Sequence, residues 1–200
     1  MSTLVFEPYL DQLARWPVEG KLILAQFDEH SVVVYQAFRP EIALYAVEHQ
    51  RFGGPFSLER MSWIKPGFLW MMYRSGWASK PGQEHILAVR LKREGFDAIL
   101  AEAVASSYHA SGFGSREEWQ RAVTRSDIRL QWDPDHDPKG NNQTRRAIQL
   151  GLRGERLRRY ATSWLLEIED ITTFVQEQAP KPYEELLLPR EEIYHAHQVL

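Results

Sequence analysis

Trp63-Ile-Lys-Pro-Gly-Phe-Leu-Trp-Met-Met-Tyr-Arg-Ser-Gly-Trp77 is an apolar run broken by two charges, Lys65 and Arg74. Its three tryptophans, Trp63, Trp70 and Trp77, recur at every seventh position, with Phe68, Leu69, Met71, Met72 and Tyr73 between them. A run this apolar has to be buried, and a cation buried with it needs an anion or a ring of acceptors. That partner is either one of the protein's own carboxylates or a phosphate carried by a ligand. Pro66 divides the run, since proline ends the reach of a helix on its N-terminal side. Residues 61–65 are therefore expected to be extended, and a helix is expected over about 67–75, closing at Gly76.

Working towards the N-terminus, residues 21–27 and 31–38 are β-rich and are joined by Asp28-Glu29-His30, which reads as a hairpin. A helix follows over 41–49 with Pro40 at its first turn, then a turn at Phe52-Gly-Gly-Pro-Phe56. Towards the C-terminus the pattern predicts a strand over 86–91 and a helix over 93–106. Ser115 and Glu118 form a capping box that opens another helix. Strands are expected over 128–132 and 147–151, with a polar loop over 133–144 between them, and helices over 155–166 and 172–178. Strands and helices mix without βαβ alternation, so the class is α+β: a single domain with a mixed, largely antiparallel sheet flanked by helices. The expected organisation is an N-terminal segment at 1–19, the domain at 20–178, and a loosely attached acidic tail at 179–200.

Composition narrows the chemistry. The chain has 200 residues, a formal charge of −3 and no cysteine. A disulfide-linked partner, a thiolate nucleophile and a Cys-based zinc site are excluded, and the near-balanced charge argues against non-specific coating of nucleic acid. No apolar run reaches the ~20 residues of a membrane span, and the N-terminus lacks the features of a secretory leader, so a cytoplasmic protein without membrane contact is expected. There is no Walker loop, dinucleotide fingerprint, nucleophile elbow or His-Glu-x-x-His. Asp133-Pro-Asp-His-Asp-Pro138 begins like a calcium loop, but Pro138 stands where glycine is needed and Thr144 where the bidentate glutamate belongs. The only histidine pair at metal spacing is His195-Ala-His197. No metal is expected.

Several strings lie close to a known pattern: Tyr35-Gln-Ala-Phe-Arg-Pro-Glu-Ile-Ala43, Arg60-Met-Ser-Trp-Ile-Lys-Pro66, Phe68-Leu-Trp-Met-Met-Tyr-Arg-Ser-Gly-Trp77, Gln131-Trp-Asp-Pro134 and Ile148-Gln-Leu-Gly-Leu-Arg-Gly154. Together they resemble the family called domain of unknown function 4291, over about residues 20–178. The resemblance implies one compact domain and carries no substrate.

Site candidates come from the residues themselves. Lys65, Tyr73, Arg74 and Lys80 beside the tryptophans Trp63 and Trp70 suit a nucleotide or single strand, cations on phosphate and rings on bases; the bland reading is internal pairing and an ordinary core. Tyr35, Gln36 and Arg39 end a strand where a helix begins, a common place for an anion, although Arg39 has a surface partner available in Glu41. Residues 139–160 carry seven basic side chains, Arg145 and Arg146 among them, against one acid, whereas 161–200 carries eight acids against two bases. This marks either a phosphate-binding face or internal neutralisation by the acidic tail, which would fold back over the basic helix or pair with it in a second subunit.

Two functions fit. One is a small nucleotide-dependent transferase with an ADP-ribosyltransferase-like site, in which Gln36 or Arg39, Tyr73, and Gln149 or Glu169 occur in the required order; Gln36, Tyr73 and Gln149 are the catalytic candidates and NAD is the cofactor such a layout would take. The binding residues would be Tyr35, Arg39, Trp63, Lys65, Trp70, Arg74, Arg145 and Arg146. The other is a non-catalytic module for RNA, single-stranded DNA or a free nucleotide.

Overall fold

Two antiparallel sheets meet at one rung. In the computed structural model, which describes residues 4–196, the elements in chain order are β1 (Phe6–Pro8), α1 (Tyr9–Arg15), β2 (Leu24–Ala25), β3 (Ser31–Phe38), α2 (Pro40–His49), β4 (Ser62–Ile64) and α3 (Phe68–Ser75). They continue with β5 (His85–Lys92), α4 (Arg93–Ala101), β6 (Val104–Ala105), a 3-10 turn, α5 (Arg116–Arg125), β7 (Ile128–His136) and β8 (Asn142–Leu152). The last are α6 (Gly154–Ala161), β9 (Leu165–Asp170), α7 (Thr172–Gln178), β10 (Leu187–Pro189) and β11 (Glu192–Ile193). One sheet has the order β3-β5-β9 and the other β4-β8-β7-β6, antiparallel except for the β6–β7 pair. The class is α+β.

β3 is nearly all buried and rich in β-branched residues, as a strand covered on both faces should be. At Tyr35 it exchanges main-chain hydrogen bonds with Lys65, just beyond β4 (Tyr35 N to Lys65 O 2.7 Å, the reverse 3.2 Å). One residue on, the ladder stops. The Gln36 carboxamide takes its place, donating to Trp63 O at 3.0 Å and Ser62 Oγ at 2.8 Å and accepting from the buried Tyr160 hydroxyl at 2.6 Å. The two sheets diverge from this point, and a cleft opens between them.

The aromatic run behaves as its pattern requires. Ser62–Ile64 is extended, Pro66 makes the break, and α3 buries Phe68, Leu69, Trp70, Met71 and Met72. The Glu191 carboxylate accepts from Phe68 N at 2.6 Å at the start of α3. The helix stops in a turn of three successive left-handed residues, Gly76 (φ 60), Trp77 (φ 56) and Ala78 (φ 66). Two of these bear side chains, each a strain of order 1–3 kcal/mol, and the turn is held by Trp77 N to Met72 O at 3.0 Å and Ala78 N to Ser75 Oγ at 3.3 Å. It directs residues 81–83 back against the cleft.

Four expectations need correction. The polar loop at 133–144 is a hairpin: β7 continues to His136, β8 begins at Asn142, and the Asp137 carboxylate makes the turn by accepting from Lys139 N and Asn141 N, both at 2.9 Å. The helices expected over 93–106 and 155–166 end at Ala101 and Ala161, because the chain then re-enters a sheet as β6 and β9. The C-terminal segment is not a loose tail: β10 pairs with β1, β11 pairs with β2, and Leu186, Leu188, Glu191 and Tyr194 are buried. Its acidity hid an apolar alternation that closes the core. Of the His195/His197 pair, His197 lies outside the described residues.

Candidate functional site: a cationic cleft between the sheets

The cleft has a volume of about 900 Å³, within the range of small-molecule sites. Its walls are the end of β3 (Gln36, Phe38), Arg39, the 55–61 loop with Phe56 and Arg60, β4 with Ser62 and Trp63, then Lys65, Met71 and Arg74, the 81–83 loop, and Gln131 and Gln149 from β7 and β8. Four lining side chains are cations and none is a carboxylate. Arg39 pairs on the surface with Glu41 at 3.5 Å, Arg74 donates to Gln83 Oε1 at 3.3 Å, and Arg60 has no ion pair among the described residues.

Lys65 forms the floor. The residue is only 4% exposed, its Nζ lies 5.7 Å from the centre of the Trp70 ring, and it has neither hydrogen-bond nor ion-pair partner among the described residues. Burial first, and the nearby Arg74 second, push its pKa down to about 8, with Asp133 pulling in the opposite direction. An unpaired, buried ammonium is expensive, and an incoming anion relieves it.

Gln131 and Gln149 face each other across β7 and β8, and Asp133 bridges them, its Oδ1 accepting from Gln131 Nε2 at 2.8 Å and its Oδ2 from Gln149 Nε2 at 2.7 Å. An ionised carboxylate only accepts, so both amide nitrogens point to Asp133 and the Gln149 carbonyl is left for a ligand's hydroxyl or N–H. Trp63 stands opposite Gly151 in the register, and a Cβ at that glycine would come within 3.0 Å of the indole and 2.6 Å of Met61 Sδ. Glycine there allows Trp63 to lie flat against β8.

Of the residues predicted from sequence, Gln36, Arg39, Trp63, Lys65, Arg74 and Gln149 come together in this cleft. Gln36 is there as the strut of the sheet divergence, with both amide hydrogens committed. The others lie elsewhere. Tyr35 is wholly buried on the far side of β3, packed edge-on against Phe68. Trp70 is buried, and exposed Tyr73 stacks on His136 with centroids 3.6 Å apart, outside the cleft. Burial lowers the His136 pKa. Arg145 is buried against Asp135 (Nε–Oδ2 2.5 Å) and over Trp16, and Arg146 binds the 20–22 segment through its main chain. Glu169 is on β9, opposite Ala88. Asp133, Gln131, Arg60 and Phe56 were not anticipated; only the alternation Gln131, Asp133 along a strand could have pointed to the first two.

The arginines of α6 and its cap are paired, but not by the acidic tail expected to cover them. Arg153, Arg156, Arg158 and Arg159 pair with Asp127, Glu102, Glu59 and Glu155, none of which belongs to the 179–200 segment. The aspartates of the calcium-like string are likewise occupied, Asp133 by glutamines, Asp135 by Arg145 and Asp137 by its turn. Among the described residues no group of three acidic or histidine side chains is placed to hold a metal, and no helix is long and apolar enough to cross a membrane.

Fold and site together define a small α+β protein with an acid-free cationic cleft between two sheets. The chain belongs to the family described as Domain of unknown function (DUF4291), whose pattern matches residues 22–194. The match takes in β10 and β11 as well as the cleft. No curated protein matches the chain significantly.

Proposed function

We propose that the cleft binds a phosphate-bearing, ring-containing ligand of nucleotide size, and that the protein is a small nucleotide-dependent transferase with an ADP-ribosyltransferase-like site. One observation carries the reading: Lys65 and Arg74 lie within electrostatic reach of each other on a cleft with no lining carboxylate. Two neighbouring cations without an acid make a site for a pyrophosphate. Trp63 and Phe56 offer ring faces in the same space, and the Gln149 carbonyl is held ready for a sugar hydroxyl. In this reading Trp63, rather than Tyr73, takes the stacking role, and Gln36 positions the wall. Bound NAD would supply a ribosyl carbon that becomes cationic as nicotinamide leaves; the chain's part is to fix the pyrophosphate with Lys65 and Arg74 and to set the Gln149 carbonyl beside that centre.

The test is calorimetry and thermal shift with ADP, NAD and a short single-stranded RNA, on the wild type and Gln149→Ala. An enzyme loses turnover in Gln149→Ala and keeps its ligand affinity to within several-fold. A second reading, a binding module without chemistry, is favoured by the absence of any histidine, aspartate or glutamate from the lining; it predicts binding in both proteins and turnover in neither. Failure of all three ligands to bind overturns both readings.

A further inference from the structure

Lys65 combines features that simple phosphate binding does not require. The residue is only 4% exposed, yet it lines the cleft. Phosphate-binding lysines ordinarily present a fully charged ammonium in a solvated setting. Here the amine lies 5.7 Å from the centre of the Trp70 ring, the cation acting on it is Arg74, and no carboxylate among the described residues lies within 4.0 Å to hold the proton on it. Desolvation together with a neighbouring positive charge is the setting in which a lysine acts as a neutral amine nucleophile. The remaining charges on its surroundings are Arg39 and Arg60 at the cleft rim and Asp133, which is engaged by two glutamines.

We propose that Lys65 forms an imine with the aldehyde carbon of a phosphorylated sugar or sugar-like aldehyde bound in the cleft. This rests on the reading of the cleft as an anion site and adds a covalent step to it. The Nζ lone pair adds to the carbonyl carbon as the carbonyl π pair moves to oxygen. A proton passes from nitrogen to that oxygen to give the carbinolamine. Loss of the oxygen as water leaves the C=N bond. Amine and aldehyde go to imine and water, with no oxidant or reductant. The guanidinium groups of Arg74 and the rim hold the phosphate, and Trp63 covers the carbon chain or ring. The lowered affinity of Lys65 for its proton is in keeping with this chemistry near pH 8.

The experiment uses the full chain with pyridoxal 5'-phosphate, which carries a phosphate, a ring and an aldehyde, followed by cyanoborohydride and peptide mass spectrometry. The expected result is one reduced adduct on Lys65, formed at pH 8 at least about tenfold faster than adducts on the exposed Lys80 and Lys139, and suppressed by excess inorganic phosphate. Unphosphorylated pyridoxal should label Lys65 far more slowly. Lys65→Arg keeps the charge without a primary amine, and should retain the thermal shift with ADP while losing the adduct; Lys65→Met, which fills the same apolar space, should lose both. Labelling spread evenly over the exposed lysines, in a protein that ADP still stabilises, overturns the imine and leaves the nucleotide reading standing. No adduct on Lys65 and no stabilisation by ADP or phosphate overturns both.

Discussion

The molecule has two cationic regions, and they have opposite fates. Around α6 each arginine meets an acid, three of them delivered by other parts of the fold: Asp127 for Arg153, Glu102 for Arg156 and Glu59 for Arg158, with Glu155 of the same helix for Arg159. Around α3 the cations are fewer, but the cleft that receives Lys65 and Arg74 has no lining acid. Charge density along the chain pointed to the first region. Charge that remains uncompensated after folding points to the second. A ligand site in this protein is marked by what the fold withholds from a cation.

The largest effect is expected at the buried pair. Asp135→Ala leaves Arg145 uncompensated in the core and should cost about 3–5 kcal/mol, read as a lowered midpoint in urea unfolding; a loss below about 1 kcal/mol would show that compensation does not matter even there. Next comes Lys65→Met, which should reduce affinity for ADP at least about tenfold, about 1.4 kcal/mol. In the absence of ligand the same change should stabilise the protein at pH 7. Lys65 has a pKa of about 8 in the folded state against 10.5 in the free side chain, so between these values the unfolded chain binds more protons and stability rises with pH. The burden of the buried ammonium is therefore fully present below pH 8, and the advantage of Lys65→Met should shrink as melting is followed from pH 8 towards 10.5. A constant difference across that range would remove Lys65 from the cleft floor as a charged group.

Gln149→Ala acts on the polar wall of the cleft. It removes the acceptor that Asp133 orients and should change ligand affinity by no more than several-fold in calorimetry, whereas a transferase would lose most of its turnover. The smallest effect belongs to α6. Arg156→Gln breaks a half-exposed pair with Glu102 and should alter stability by less than about 1 kcal/mol, with ADP binding unchanged. A large loss of binding there would move the site to the basic helix and reverse the reading.

Local rules made much of this legible. Pro66, the apolar run behind it and Gly76 set β4 and α3, and Ser115 with Glu118 set the start of α5, where the serine hydroxyl accepts from Glu118 N at 3.1 Å. These depend on neighbours within one turn of chain. The 137–141 turn escaped because a side-chain carboxylate builds it inside a polar string that reads as loop. Burial of Glu191 escaped because it depends on α1, α3 and the Asp135–Arg145 pair converging from distant parts of the sequence; burial pushes its carboxyl up to about 8. Six of the eleven site residues named from sequence reach the cleft. Tyr35, Tyr73 and Trp70 do not, since a strand or helix face turns alternate aromatics away from their neighbours; Arg145 is taken up by the core, and Arg146, tied to the 20–22 segment by its main chain, is exposed outside the cleft.

The bridge between Tyr35 and Lys65 has a mechanical consequence. It is the one main-chain tie between the two sheets among the described residues, so any breathing of the two leaves must pivot there, at the residue whose amine waits below. Filling the cleft and locking the pivot are then a single event. Amide exchange at Tyr35 and Lys65 should slow together when the cleft is occupied, while the amides of β10 and β11, remote from the pivot, keep their rates.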